Sequence, residues 1–364
     1  MIIGVQIVFA RVSFVPAARE PITQRDVAAS LGVSVSAVSL ALSGRPGVGE
    51  ELRRRILDRA TELGYRPNAS AVALRTSRTR VLGLLIRNLR NPHFLDVIDG
   101  FDETCARAGY EVMIGSSRYD PTREAHLLDA FQHRAIDGFA IAPIGTDHQA
   151  RERFSTYKRP VVLLDTAAPG PSTMSVRSDQ ETSVDLAVQH LLELGHRHLA
   201  MVVAPTDKSP DPERLEHFRR LAAELGFTAA TVTTELSADA ARTAIRAALE
   251  HSPATRPTAF ITNSDYIAHT VYLAAADLGL SIPEDISVIG HDDLPTSATL
   301  SPALTTIAVD RRSIGEHAAT LLIDSLAGRQ AEQTNIVVPV ELRVRKSTAT
   351  PAARKNQKTR DART

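Results

Sequence analysis

Two hydrophobic patterns divide this chain of 364 residues. Between residues 21 and 66, apolar positions recur every three or four residues, which is typical of short amphipathic helices. After residue 80, short apolar runs alternate with stretches of helical spacing, and the clearest runs are VLGLLI, YEVMIG, IDGFAIAP, PVVLLD, HLAMVVA, TAFIT and ISVIGHDD. This alternation predicts βαβ repetition with parallel strands. We therefore predict a small helical region followed by an α/β body with two doubly wound sheets.

The later helices of the body are predicted near 180–194, 211–225, 238–250 and 265–278. The first lobe of the body is expected at about 80–165 plus 294–325, and the second at about 166–293 plus 326–345. Ligands of such folds bind beyond the carboxyl ends of the strands, so two facing lobes predict a cleft between them.

The remaining boundaries follow from composition. Residues 21–66 are predicted to form the helical head, and residues 67–79 a hinge helix with a linker. Residues 1–20 are apolar, but Arg11 interrupts them and no basic segment precedes them, so we expect no signal peptide. A disordered extension is expected, or a start codon that was assigned too early. Residues 346–364 are basic and lack apolar periodicity, which predicts a disordered tail.

The head begins with a helix start signal. Thr23 and Asp26 stand three residues apart in a pattern close to a capping box, so a helix should start near Gln24. Gly32 can adopt positive φ in a tight turn, and Ser34 can cap a second helix. This sequence predicts a helix, a tight turn and a second helix, with the small side chain of Ala28 permitting a close crossing.

The predicted outer face of the second helix is almost free of charge. It carries hydroxyl and apolar groups at Val35, Ser36, Ser39, Leu40 and Ser43. Serine can hydrogen-bond to several base edges, and apolar groups can pack on a thymine methyl, so this face suits a major groove. A small helical bundle with a bland surface is the alternative that the helix pattern leaves open.

Charge is distributed unevenly, although the whole chain is neutral. Residues 21–80 hold ten Arg against five acidic residues, a net charge of +5, whereas residues 81–342 hold 22 basic and 35 acidic residues, a net charge of −13. The head should therefore attract phosphate, and the body should repel it. This distribution favours DNA as the partner of the head.

The head and the following segment resemble the lactose/galactose repressor family. The resemblance rests on ITQRDVAASLGVSVSAVSLALSG and on LGYRPNASAVALRTSRTRVLGLLI, and it extends to about Arg345. It implies DNA contacts by Thr23, Ser34 and the outer face of the second helix. It also implies a hinge helix over 68–74 that enters the minor groove, with contacts from Asn68, Ala71 and Leu74.

Two residues of the head depart from the family pattern. Leu40 replaces a frequent Arg, so a bidentate guanine contact is unavailable at that position. Gly49 replaces a frequent Ser that would cap the third helix. We therefore expect an operator sequence that differs from those of the better-known relatives.

The body carries the resemblance further and implies an effector site. Its motifs include NPHF at 91–94, ERLEHF at 213–218 and SIPEDISVIGHDD at 281–293, and such bodies resemble periplasmic sugar-binding proteins. The implied effector-binding residues are Asn91, His93, Phe94, Asp165, Arg214, Ser264, Asp265 and Asp292. Arg214 and the acids could grip vicinal hydroxyls, and Phe94 could stack on a sugar face. Alternatively, Asp165, Asp265 and Asp292 cap helices or turns.

Other function classes have less support. A nucleotide-binding enzyme is a rival, but GxGxxG, GxxxxGK[ST] and GxSxG are absent from the sequence. A periplasmic binding protein is the second rival, and the head argues against it. The single cysteine, Cys105, excludes an internal disulfide and fits a reducing cytoplasm. His190, His196 and His198 lack a second ligand cluster, so we expect no metal and no cofactor.

The sequence thus predicts a homodimeric, cytoplasmic transcription regulator without a membrane partner. It is expected to be a repressor that binds a pseudo-palindromic operator and responds to a small molecule, a sugar or related metabolite, in the cleft. The C-terminal end lacks leucine heptads, which favours a dimer over a tetramer. Release by an inducer and engagement by a corepressor are equally compatible with the sequence.

Overall fold

The computed structural model describes residues 22–65, 78–145, 154, 157–166, 173–205, 212–235, 237–252, 255–329 and 331–352. These residues belong to two compact units, a head that ends at Ser77 and a body that begins at Arg78. The predicted extension over 1–20 and the hinge segment at 68–74 lie outside the described residues.

The head contains three helices: α1 (Gln24–Leu31), α2 (Val35–Leu42) and α3 (Glu50–Glu62). The predicted capping box is present, because Thr23 and Asp26 each accept a hydrogen bond from the backbone of the other. Gly32 ends α1 with φ of 67°, and the hydroxyl of Ser34 accepts from the Ala37 amide at 3.1 Å. The predictions for both caps and for the turn are therefore confirmed.

Small side chains let α1 and α2 cross steeply. The two helices bend by 111° at the turn between them, and Ala28 is only 3% exposed. The head core consists of buried apolar residues from all three helices, namely Val27, Ala28, Val38, Ala41, Ile56 and Ala60. Within the described residues, no single helix is long and apolar enough to cross a membrane, although α1 and α2 taken as a bent pair reach that length and composition.

Lobe one of the body is a six-stranded sheet in the order β11-β5-β4-β3-β1-β2. Its strands, all paired in parallel, are β1 (Val81–Ile86), β2 (Glu111–Ser116), β3 (Gly138–Ile141), β4 (Val161–Leu164), β5 (Met174–Ser178) and β11 (Asn335–Val338). Its helices are α4 (His93–Arg107), α5 (Pro121–His133) and α10 (Arg311–Leu326). Separate apolar clusters cover the two faces of the sheet.

Lobe two repeats this connectivity with the order β12-β10-β9-β8-β6-β7. Its strands are β6 (His198–Val203), β7 (Thr228–Thr233), β8 (Ala259–Thr262), β9 (Ser287–Asp292), β10 (Thr305–Val309) and β12 (Val340–Arg343). Its helices are α6 (Gln180–Glu193), α7 (Pro212–Leu225), α8 (Ala238–Leu249) and α9 (Asp265–Asp277), and a 3-10 turn spans Pro295–Ala298. Among the described strands of this lobe, only β12 pairs in antiparallel fashion.

The fold class is as predicted, but the predicted lobe boundaries are wrong in three places. β5 and β11 belong to lobe one, whereas 294–309 belongs to lobe two. The chain consequently crosses between the lobes at 178–180, 309–311 and 338–340. Edge strands such as β11 and β12 have only four residues, so their apolar pattern is too short to assign them to a sheet from the sequence.

The first part of the predicted disordered tail is ordered. Ser347 is fully buried, and its hydroxyl donates to the Val288 carbonyl at 2.6 Å and accepts from the Thr305 amide at 2.8 Å. These bonds attach residues 346–352 to β9 and β10. The prediction of disorder for 346–364 is therefore wrong for its first seven residues, since backbone and hydroxyl groups stabilise them without apolar periodicity.

Candidate functional site

The exposed face of α2 is the candidate DNA-reading surface of the head. Val35 is 42% exposed, and Ser36 is exposed beside it. The helix contains no charged residue. An apolar and a hydroxyl group at the start of a recognition helix can contact base edges without placing a charge in the groove.

The remaining predicted residues of this face differ in exposure. Ser39 and Leu40 are partly buried, and a Cβ atom on Gly47 would lie 3.2 Å from the Leu40 Cδ1 atom, so Leu40 lies against the following loop. The Ser43 hydroxyl donates to the Ser39 carbonyl at 2.7 Å. Val35, Ser36 and Ser43 are therefore the exposed side chains of this face, and Thr23 and Ser34 before the helices are exposed too. Asn68, Ala71 and Leu74 lie outside the described residues.

The candidate effector site is a cavity of about 60 Å³ between the two lobes. Its lining residues follow the carboxyl ends of strands or begin helices, and they are Arg87, Asn91, His93, Phe94, Tyr119, Asp165, Ser178, Gln180, Arg214, Asn263, Ser264, His291 and Asp292. Seven of the eight predicted residues lie in this lining, and Asp265 does not. The parallel strands bring them together because their carboxyl ends meet at one edge of each sheet.

His93 joins the two lobes across this cavity. Its Nδ1 atom lies 2.8 Å from Asp292 at the end of β9, and its Nε2 atom lies 3.5 Å from Asp165, which follows β4. Burial alone would lower the pKa of His93, but the carboxylates of Asp292 and Asp165 outweigh it and raise the pKa to about 10. At neutral pH the ring is therefore a cation between two carboxylates.

The two carboxylates remain ionised although they are buried. Burial favours their neutral forms, yet the charge of His93 holds the pKa of Asp292 and of Asp165 below the ordinary value. Both residues have a left-handed backbone, with φ of 50° at Asp165 and 117° at Asp292. Non-glycine residues rarely adopt such angles, and they cluster at binding sites when the surroundings hold them there.

Arg87 is a cavity residue that the sequence reasoning missed. Its Nε atom donates to the Pro143 carbonyl at 3.1 Å, and its Nη1 atom lies 3.5 Å from Asp165. Tyr119, Ser178, Gln180, Asn263 and His291 were missed as well. The sequence could have indicated them, because most of these residues stand at strand ends or in the first turn of the following helix. Asp165 and Asp292 were predicted from the same strand-end position.

Asp265 was predicted to bind effector, and its surroundings contradict this prediction. Its carboxylate is fully buried and accepts hydrogen bonds from the Leu294 amide at 2.8 Å, from the Ser297 hydroxyl at 2.6 Å and from the Thr306 hydroxyl at 2.5 Å. These donors occupy both oxygens, so Asp265 stabilises lobe two from within.

Phe94 lines the cavity but is almost fully buried. Only 2% of the residue is exposed, and it belongs to the core of lobe one. Its ring meets the His93 ring edge to face at a centroid distance of 5.0 Å. Stacking of Phe94 on a sugar stays a prediction, and the contact of its ring with the imidazole helps to fix the orientation of His93.

The histidines considered for a metal have structural partners. His190 bonds to the Thr348 hydroxyl at 2.9 Å, and His196 bonds to the Thr258 hydroxyl at 2.8 Å and to the Ala349 carbonyl at 2.9 Å. Both rings thus anchor the C-terminal segment. Among the residues that the structure describes, no group of three or more His, Cys, Asp or Glu side chains could hold a metal ion.

Comparison with known proteins extends these observations. Residues 23–68 match the family model described as bacterial regulatory proteins, lacI family, and residues 188–348 match the periplasmic binding protein-like domain. The ribose operon repressor of Escherichia coli K12 is 30% identical over 318 residues, which cover 86% of this chain and 96% of that protein. The chain belongs to the LacI family.

Solved structures agree with this membership. The lac repressor dimer bound to operator and the anti-inducer ONPF has a TM-score of 0.81 at 25% identity, covering 91% of this chain and all of that chain. A LacI family regulator from Enterococcus faecium with bound ribose has a TM-score of 0.64 at 26% identity, covering 74% of this chain and 99% of that chain.

Family membership establishes the general activity. The LacI-family chain is a DNA-binding transcriptional repressor with a periplasmic-binding-protein-like effector domain, and it is not an enzyme. The predictions of a helix-turn-helix head and of transcription regulation are therefore confirmed. Residues 23–68 match the DNA-binding family model. This match excludes two alternatives: that the head is a helical bundle without a DNA-binding role, and that the chain is a periplasmic binding protein.

Proposed function

We propose that this LacI-family repressor binds a pseudo-palindromic operator as a homodimer, and that a small hydroxylated molecule in the interlobe cavity controls its affinity for DNA. The observation that carries this proposal is the contact of His93 in lobe one with Asp292 in lobe two across the cavity. A ligand that contacts these groups changes the energy of the interlobe arrangement, which is the requirement for control by a small molecule.

The crossing segments support a hinge motion. Ser178 and Gln180 stand at the first crossing and also line the cavity. At the second crossing, Arg311 starts α10 of lobe one and donates to the Asp292 carbonyl of lobe two and to the Asp96 carboxylate. A ligand in the cavity would therefore act directly on residues at which the lobes can rotate.

The chemistry of the cavity fits a polyhydroxylated effector. Arg87, Arg214, Asn91 and Asn263 supply donors, while Asp165 and Asp292 supply acceptors. The solved relative from Enterococcus faecium contains ribose. We therefore assign a carbohydrate or a closely related metabolite as effector, acting in the cytoplasm where the operator is present.

On the DNA side, Val35 and Ser36 would contact the major groove, and a dimer would place two such helices on adjoining half-sites. Thr23, Ser34, Ser39, Leu40 and Ser43 remain candidates for contacts at the edge of that surface. The minor-groove role of Asn68, Ala71 and Leu74 stays a proposal from the sequence. The solved lac repressor dimer bound to operator supports the dimeric arrangement.

A pair of neighbouring carboxylates tests the effector site. Asp292 lines the cavity, whereas Asp293 pairs with Arg345 at 2.6 Å outside it. Thermal unfolding of the full chain should be measured with a panel of sugars and sugar acids. A compound that raises the Tm of the wild type should lose its effect in Asp292→Asn and keep it in Asp293→Asn.

Two results would contradict the proposal. One is an equal ligand-induced shift of Tm in the wild type and in Asp292→Asn, which would place the ligand elsewhere. The other is the absence of a Tm shift with every sugar and sugar acid in the panel. That result would contradict the proposal of a carbohydrate effector but not the proposal of DNA binding.

A further inference from the structure

The recognition helix α2 lacks the side chains that read bases through paired hydrogen bonds. The helix and its two caps, Ser34 and Ser43, carry only apolar groups and hydroxyls. In the major groove, arginine and lysine form paired contacts with guanine, and asparagine and glutamine form them with adenine. None of these residue types stands on α2. The helix therefore has to distinguish bases by another feature.

The exposed hydroxyls of α2 do not single out one base. Ser36 is exposed, and its hydroxyl forms no hydrogen bond with the described residues. Because a free hydroxyl rotates to donate or to accept, it can pair with the edge of any base. The Ser43 hydroxyl already donates to the Ser39 carbonyl at 2.7 Å, so it can only accept from DNA. Such an acceptor pairs with the amino group of adenine or of cytosine.

Val35 is the apolar side chain that α2 exposes. It is 42% exposed, whereas the other apolar residues of the helix are buried or partly buried. Val35 is also the first residue of α2, and the amino-terminal residues of a recognition helix contact base edges. A β-branched side chain in a helix has essentially one χ1 rotamer, so its methyl groups are fixed before DNA binds. The contact therefore loses little side-chain entropy.

The major groove offers one apolar group that marks a base, the C5-methyl group of thymine. Packing an apolar side chain on this methyl group removes both from water. Burial of one methyl group changes a Kd by about fourfold. A dimer on two half-sites makes the contact twice, so the effect of losing both methyl groups is about fifteenfold.

We propose that α2 selects its half-site through the C5-methyl group of a thymine, which packs on the methyl groups of Val35. Ser36 pairs with a neighbouring base without selecting it. This inference rests on the proposed major-groove role of α2 and deepens it, because it names the chemical group that is recognised. Uracil has the hydrogen-bonding edge of thymine but lacks the methyl group, so it is a poor substitute at the contacted position.

Replacement of thymine by deoxyuridine tests the requirement for the methyl group. A duplex should be recovered from a random library with the full chain, and each thymine should then be replaced by deoxyuridine in both half-sites together. Fluorescence anisotropy measures the Kd of every duplex. We expect at least one symmetric pair of thymines at which the replacement raises the Kd of the wild type about fifteenfold.

Variants at two exposed apolar positions locate the contact. Val35→Ala should bind the thymine and deoxyuridine duplexes with Kd values within about twofold of each other, because the packing is lost from both. Val35→Thr keeps one methyl group and should retain a preference of about fourfold. Leu57→Ala is the control, because Leu57 lies on α3 with the same 42% exposure, and it should keep the full preference. Circular dichroism and Tm verify that the variants are folded.

The outcomes separate this inference from the proposed function. If every deoxyuridine duplex binds as tightly as the thymine duplex, the methyl contact is overturned and operator binding stays intact. A thymine preference that Val35→Ala keeps in full would overturn the role of Val35. Failure of the full chain to select any sequence from the library would overturn the proposed operator binding and this inference together.

Discussion

Asp265 connects three segments of lobe two through its two carboxylate oxygens. Burial, followed by the repulsion of Asp292, raises the pKa of this residue to about 7. The ordinary value is 3.8, so between these two pH values the folded state holds a proton that the unfolded state has lost. The contribution of Asp265 to stability therefore falls as the pH rises from about 4 to about 7, and changes little above that range.

Asp265→Asn should remove this pH dependence. Its amide oxygen can accept from Leu294 and Ser297, while its amide nitrogen donates to the Thr306 hydroxyl. We expect the free energy of unfolding of the wild type, relative to Asp265→Asn, to fall by about 2 kcal/mol between about pH 5 and pH 7. Urea denaturation followed by circular dichroism measures it. A difference that does not change with pH would contradict the account.

The acids of the body show how far single residues can be assigned from sequence. Asp165, Asp265 and Asp292 all follow apolar strands, and all three were predicted to bind effector. The structure brings Asp165 and Asp292 into the cavity, whereas the donors of Asp265 come from 294–306. Strand-end position is readable in a sequence, but the direction of a side chain depends on contacts with distant segments.

At the scale of helices, two glycines allow α4 and α10 of lobe one to touch. A Cβ atom on Gly315 would lie 2.0 Å from the Val97 carbonyl oxygen, and one on Gly100 would lie 2.2 Å from the Arg312 carbonyl oxygen. Any side chain at either position would collide with backbone, which cannot move as a flexible side chain does. The backbones of the two helices therefore need glycine at this crossing.

Gly315→Ala should lower the free energy of unfolding by about 1–3 kcal/mol, because overpacking forces the two backbones apart. This loss exceeds the helix propensity that alanine would add, about 1 kcal/mol at most. His317→Ala on the exposed side of α10 is the control and should change stability by about 0.5 kcal/mol or less. A neutral or stabilising Gly315→Ala would show that the crossing tolerates a methyl group.

The recognition helix permits a matched test in the head. Val35 on α2 and Leu57 on α3 are both apolar and both 42% exposed. Val35→Ala should weaken specific DNA binding by about 1–2 kcal/mol if Val35 packs on a base, and Leu57→Ala should leave it unchanged. Fluorescence anisotropy with a duplex recovered from a random library measures both. Equal effects of the two substitutions would exclude α2 as the specific reading surface.

Sequence predicted the elements with strong local signals better than the others. α1 and α2 have side-chain caps at Thr23 and Ser34, and helices α6 to α9 have clear apolar spacing, so their positions were predicted within one or two residues. β5, β11 and β12 have four or five residues with mixed burial. Such strands form because neighbouring strands offer hydrogen bonds, which a local pattern does not record.

For the whole molecule, the doubly wound connectivity could be predicted from the sequence, but the crossings of the chain between the lobes could not. Alternating strands and helices indicated two sheets, but three crossings place β5 and β11 in the opposite lobe from the prediction. The choice depends on which sheet edge is available to each strand. The same crossings place Ser178 and Gln180 beside the cavity, so the error in the boundaries also concealed two residues of the site.

The coupling of the cavity to DNA is the central claim, and the affinity for operator DNA tests it most directly. Anisotropy of a duplex recovered from a random library should be titrated with the full chain, with and without a sugar or sugar acid that raises its Tm. We expect the Kd to change by about fivefold or more in the wild type and in Asp293→Asn, and to stay constant in Asp292→Asn. An unchanged Kd in the wild type at a saturating concentration of that compound would contradict the account.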